Sequence, residues 1–190
     1  LGAAAAKNLT SASRVMAQSN GQMQVFDLSQ PLTDTAPTFP SFEAPERTTL
    51  YTVEDNGFYA QVWQFAEHSA THVDAPGHFI GGGDLVEAMD PAQFIAPLVV
   101  IDIAARAEEN ADAQLTPDDI MAYEAEHGDI PAGAFVAMHS GWETRYGDVQ
   151  AFRGTDEDGI LHFPGIHPEA ATMLVEERDI VGVGVDTLSL

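Results

Sequence analysis

Three of the seven histidines in this 190-residue chain fall, with one aspartate, in a single short stretch: His68-Ser69-Ala70-Thr71-His72-Val73-Asp74-Ala75-Pro76-Gly77-His78. Imidazole nitrogen with carboxylate oxygen is a donor set for zinc, manganese or iron(II), and three protein ligands leave coordination positions open for water and substrate. The chain contains no cysteine, which excludes disulfides, thiolate nucleophiles and cysteine-rich zinc sites together. A metal here must therefore be held by His, Asp and Glu.

Backbone geometry limits how these residues can meet. A helix would place His68 and His72 on one face, as in zinc proteases, but Ser69 stands where such a site needs Glu and Pro76 soon ends any helix. The protease reading fails. On a strand, residues 68, 72, 74 and 78 share a face, yet a rise of about 3.3 Å per residue separates the α-carbons of His68 and His72 by roughly 13 Å. A common ion then requires a kink near Ser69-Ala70. The competing reading is a polar cluster in which the histidines only hydrogen-bond one another.

The elements that must position this stretch are those of one α/β domain. Val25-Phe26-Asp27-Leu28-Ser29 and Phe58 to Phe65 read as strands, with Pro31, Pro37, Pro40 and Pro45 keeping the intervening chain extended. Pro97 to Ile103 is a buried strand. Thr116-Pro117-Asp118-Asp119 opens a helix with an N-cap, a first-turn proline and acids facing the helix dipole, and Gly128 closes it. Ala134 to Met138 is a strand, Pro168 to Arg178 a helix, and Ile180 to Val185 a glycine-laced strand. This alternation predicts a sheet with parallel pairs, helices on its faces and added antiparallel strands at the front. Gly81-Gly82-Gly83 has no Gly-Lys-Ser/Thr after it and reads as a turn at the rim of a site.

Seven Lys and Arg against thirty Asp and Glu leave a net charge of −23. No basic patch can form, so a nucleic-acid reader and a binder of anionic membranes are excluded. The acidity reads as a solvated surface suited to salt. No apolar run reaches the roughly 18 to 20 residues that span a bilayer. Residues 1–24 differ from the rest: small apolar residues, then Val15-Met16-Ala17 with the spacing of a signal-peptidase site. They are expected to be a flexible tail or an export-signal remnant, which leaves a cytoplasmic and a periplasmic location both open. The domain proper is expected at 25–190.

The 68–78 stretch resembles the signature of the cyclase family of metal-dependent hydrolases, His-x-Gly-Thr-His-x-Asp-x-Pro-x-His. It matches at His68, Thr71, His72, Asp74, Pro76 and His78, and departs at Ala70, where the family has glycine. Asp27-Leu28-Ser29-Gln30-Pro31-Leu32, Ser140-Gly141-Trp142, Phe163-Pro164-Gly165 and Gly184-Val185-Asp186-Thr187 resemble further family segments. The resemblance implies a swivelling β/β/α fold, a mixed sheet with flanking helices, assembled as a homodimer or tetramer. It also implies His68, His72 and Asp74 as ligands of a divalent ion, zinc or manganese, and His78 as the acid/base. Thr71 and Ser69 are expected as outer donors. Family members with a second metal supply its further ligands beyond the segment matching Asp186-Thr187, so the domain is expected to be truncated after Leu190. His127, His139, His162 and His167 read as structural.

The function so implied is hydrolysis of a small-molecule linear or cyclic amide by metal-activated water, kynurenine-formamidase-like. A bound ion lowers the pKa of its water towards about 7 and polarises the carbonyl. The alternatives are opening of a lactam or lactone such as isatin, and a non-catalytic metal- or ligand-binding protein. Phe39, Phe42, Trp63, Phe79 and Trp142 could wall a pocket, each more readily a core residue. A serine hydrolase at Ser140 is weak, because Met138 occupies the glycine position of a nucleophile elbow. Metal analysis tests the ligand assignment: His72→Ala is expected to lose bound ion, and unchanged metal content would refute the assignment.

Overall fold

A computed structural model describes residues 26–190, so Val25 and the expected tail at 1–24 lie outside the described residues. Three separate sets of strand pairings organise them. At the front, β1 (Glu46–Tyr51) and β2 (Ala60–Gln64) form an antiparallel hairpin with Glu46 opposite Gln64 and Thr48 opposite Val62. One helical turn, α1 (Val53–Asn56), joins them. Thr52 caps it by accepting from Asp55 N–H, and Gly57 closes it at φ 79°.

Later in the chain, β3 (Leu98–Asp102), β5 (Phe135–His139) and β7 (Gly182–Gly184) form a parallel sheet in that order. Between them run α2 (Ala104–Glu109), β4 (Gln114–Leu115), α3 (Pro117–His127), α4 (Val149–Arg153), β6 (Gly165–Ile166) and α5 (Pro168–Thr172). β4 and β6 make a second, two-residue parallel pair. The mixed α/β class is the one expected.

Alternation along β3 decides which face is core. Val99 and Ile101 are buried while Leu98 and Val100 are exposed. Val136 and Met138 of β5 join the buried face, and Ile120 of α3, Ala170 of α5 and Leu174 pack on it. Ile120, Ala170 and Leu174 thus cover the Val99/Ile101 face of the sheet, the flanking of sheet by helices that was expected. The glycines of β7 have a packing reason: the Phe135 ring lies across them, and a Cβ on Gly184 would sit 2.8 Å from that ring.

α3 forms where its start signals predict. The Asp119 carboxylate accepts from Thr116 N–H (2.7 Å) and the Thr116 hydroxyl (2.8 Å), and Gly128 ends the helix at φ 90°. Arg106 clamps the same carboxylate at 2.6 Å and 3.1 Å, tying α2 to α3. The helix expected from Pro168 to Arg178 is α5 continued by a π-helical turn, Met173–Glu177.

The described part of the strand expected at 25–29 forms no ladder among the described residues. Residues 26–29 have no ladder partner: Asp27 accepts from Ser29 N–H (3.0 Å) in a local turn, and Gln30 N–H is spent on the Thr71 hydroxyl (2.8 Å). Conversely β1, which the prolines suggested was merely extended chain, is a full strand. Pro31 to Thr38 instead serves as a splint. Tyr146 O–H donates to Pro31 O (3.2 Å), and Arg153 donates to Thr38 O (2.7 Å) and to its hydroxyl (3.2 Å).

His162 latches the loop that precedes β6. Its Nδ1 lies 2.9 Å from Asp112 and its Nε2 3.3 Å from Asp156. The Asp112 hydrogen bond, then that of Asp156, raises its pKa above the usual histidine value. A raised folded-state pKa means the latch stabilises fully below the unfolded value of about 6.5 and is lost as pH rises through the folded one. Hydrogen exchange, corrected for intrinsic rate, is therefore expected to show the Ile160 amide better protected at the acid end, with the dependence gone in His162→Gln. The same pH dependence in both proteins would contradict the latch.

Candidate metal centre

The 68–78 stretch is a loop leaving β2, and its kink is at the residue the spacing indicated. Ala70 adopts φ 55°, the left-handed region, and His72 Nδ1–H donates to Ala70 O at 2.9 Å, closing the turn. The turn replaces the extended separation of His68 and His72 with ring centroids 5.3 Å apart. Pro76 then starts a single 3-10 turn, Pro76–His78, which brings the His78 ring back over His68 with centroids 3.7 Å apart. Gly77 is required there, since a Cβ would meet Gly83 O at 2.8 Å, and its N–H donates to Asp84 O at 2.8 Å. The glycine run 81–83 is thus a turn beside the site.

All four expected site residues converge. His68 Nδ1 lies 2.6 Å and His72 Nε2 3.1 Å from the same oxygen of Asp74. His68, Asp74 and His78 each offer a donor atom within 4.8 Å of the others, while His72 joins the group through Asp74. With Nδ1–H committed to Ala70 O, a neutral His72 turns an Nε2 lone pair towards a carboxylate oxygen. Two acceptors at that separation require positive charge between them, a proton or a metal cation. The donor set and this polarity fit a divalent ion. His72 and Asp74 remain 30% and 40% exposed, so the cluster opens on solvent.

The surroundings sort the expected neighbours. Thr71 ties the loop to the splint, its hydroxyl accepting from Gln30 N–H. Ser69 Oγ is buried with no hydrogen-bond partner and is the free donor next to His68. Of the aromatics, Phe42 stacks on His68 (6.3 Å, 21° between planes), Phe39 packs on Phe42, and Phe79 meets His78 edge-on at 4.2 Å. Trp142 is core, 1% exposed, with its Nε1–H donating to Phe152 O. Trp63 lies under Arg47.

The other histidines divide. His167 caps α5 by accepting from Glu169 N–H, and His127 packs on Tyr123. His139, read as structural, instead joins a second donor group with Glu143 and Asp186. Sequence reasoning missed it because these residues lie on separate elements. The usable signal was that His139 and Asp186 each sit one residue beyond the end of an expected strand, with Glu143 four residues after His139.

Frame and donors together define a mixed α/β protein with a His/Asp cluster suited to a divalent ion. The sequence profile of the Cyclase family, described as "Putative cyclase", matches residues 26–190. Isatin hydrolase of Roseibium aggregatum is 43% identical over 135 residues, 68% of this chain and 51% of that protein. Cyclase-like protein 1 of Arabidopsis thaliana is 28% identical over 174 residues, 87% of this chain and 62% of that protein. Among solved structures, isatin hydrolase A from Ralstonia solanacearum aligns with TM-score 0.79 at 38% identity, covering 85% of this chain and 66% of that one. An isatin hydrolase bound to the product analogue thioisatinate gives 0.78 at 34% identity, covering 84% and 65%. The chain belongs to the cyclase family. It spans between about half and two-thirds of the length of these relatives.

Ala70 carries a measurable cost. An L-residue in the left-handed region is disfavoured by roughly 1–2 kcal/mol, while glycine adds back about 0.4–1 kcal/mol of unfolded-chain entropy. Ala70→Gly is expected to stabilise by up to about 1 kcal/mol, raising Tm by about 2–4 °C at this chain length. A fall in Tm would show that the methyl group is needed.

Proposed function

We propose that this chain holds the metal centre of a hydrolase that opens the amide bond of an aromatic cyclic amide such as isatin. His68, His72 and Asp74 would hold a divalent ion, zinc or manganese, and His78 would act as acid and base. The observation that carries this reading is the convergence of both imidazoles on one Asp74 oxygen with His78 stacked against them. Its amide class includes the kynurenine-formamidase-like reaction, but similarity to isatin hydrolases favours ring opening.

When bound, the ion would supply Lewis acidity towards a carbonyl oxygen and a water acidified towards neutral pH. The chain's own residues account for the rest. The Ala70 carbonyl fixes the His72 ring by holding its Nδ1–H, which leaves Nε2 beside the Asp74 oxygen as the nitrogen that would meet the ion. His78, exposed and beside the cluster, can take a proton from water as oxygen adds to the carbonyl carbon. When the C–N bond breaks, that proton goes to the departing ring nitrogen. Phe42 and Phe79, flanking His68 and His78, offer apolar faces to a flat bicyclic substrate.

An absorbance assay with isatin and N-formylkynurenine, run on metal-loaded protein, tests the reading. His78→Ala is expected to retain its ion and lose isatin turnover by at least about a hundredfold. Near-normal turnover in that variant would remove His78 from the mechanism. Bound metal with no turnover of either compound by the parent protein would favour the metal-binding alternative.

A further inference from the structure

At the carboxyl ends of the three parallel strands lies a group of charged residues, none of which belongs to the 68–78 loop. Asp102 is the last residue of β3, His139 the last of β5 and its register partner, and Asp186 follows β7 by two residues. Glu143 comes from the 3-10 turn Trp142–Arg145 that follows β5. In open parallel sheets this edge is where ligands bind, because the loops there diverge and leave a crevice.

The side chains are arranged as metal donors. His139 Nδ1 lies 3.0 Å from Asp102 Oδ2, the carboxylate–histidine pairing that fixes an imidazole and leaves Nε2 as the outward donor. That Nε2 stands 4.0 Å from Glu143 Oε1. His139, Glu143 and Asp186 offer donor atoms that all lie within 4.8 Å of one another. Glu143 Oε2 is buried and has no hydrogen-bond partner. Asp186 is held rigidly, accepting from Ser140 N–H, the Ser140 hydroxyl (2.6 Å) and Trp142 N–H.

Charge balance supplies an independent argument. Three carboxylates surround one imidazole, and no arginine among the described residues pairs with them. Arg47 pairs with Asp34, Arg106 with Asp119 and Arg178 with Glu124, while Arg153 binds Thr38 and Arg145 lies over the Trp142 ring. The unpartnered Glu143 oxygen, on a side chain 40% exposed and beside the Asp186 carboxylate, is one that a bound cation would satisfy.

We propose that His139, Glu143 and Asp186 form a second divalent-cation site, with Asp102 as the residue that positions His139. One nitrogen with carboxylate oxygens suits manganese or zinc. The site is independent of the proposed function, since it shares no residue with it.

Manganese titration of the chelator-stripped chain, with free Mn²⁺ counted by electron paramagnetic resonance, tests the proposal. The parent chain is expected to take up two tight equivalents and Glu143→Gln or His139→Ala one. Asp102→Asn should weaken that equivalent by about tenfold or more. His72→Ala should remove the other equivalent, so failure of the 68–78 site is read separately. Uptake by Glu143→Gln and His139→Ala equal to that of the parent chain, at any stoichiometry, overturns the proposal and leaves Glu143 and Asp186 as carboxyls sharing a proton. Should either variant fail to fold, the parent chain still decides: Mn²⁺ must broaden the His139 ring resonance as it binds, and a sharp resonance at saturation would be contradictory.

Discussion

A single oxygen of Asp74 faces ring nitrogens of both His68 and His72, and this contact is possible only because the chain reverses at Ala70. An extended chain would spread the two histidines apart; the left-handed residue and the hydrogen bond from His72 to Ala70 O fold them together. Pro76 and Gly77 then return His78 to the same place. Local backbone conformation therefore assembles the donors, and the remaining architecture has to hold this loop still.

That support comes from an extended segment lacking a strand. Residues 30–38 are fastened to the α/β layer by Tyr146 and Arg153, and their first N–H reaches the Thr71 hydroxyl inside the loop. Phe42, just beyond, stacks on His68. The sheet itself offers its strand ends to the second donor group, with Asp186 knotting β7 to the Ser140-Gly141-Trp142 turn. The two places differ in charge: the loop gathers three histidines around one carboxylate, whereas the strand ends gather Asp102, Glu143 and Asp186 around one histidine with no arginine paired to them among the described residues.

Local signals were legible and non-local ones were not. The 68–78 donors, the need for a kink, the capped start of α3 and the buried strand β3 all follow from neighbours in sequence, which is why they could be read directly. β1 escaped because its identity comes from pairing with β2 rather than from an apolar alternation: all six of its residues are exposed. Residues 26–29 misled for the opposite reason, having strand-like composition but backbone donors spent on Asp27 and Thr71. His139 and Glu143 meet across the turn after β5, but Asp186 reaches them only because β7 pairs with β5, which sequence spacing does not show.

Anomalous diffraction from crystals of the zinc- or manganese-loaded chain locates the ion. The expectation is a peak at the metal edge within bonding distance of His68, His72 and Asp74, with His78 beside it and outside the coordination sphere. A loaded chain with no peak in the 68–78 loop would contradict it, and would leave the cluster as histidines hydrogen-bonded around one carboxylate.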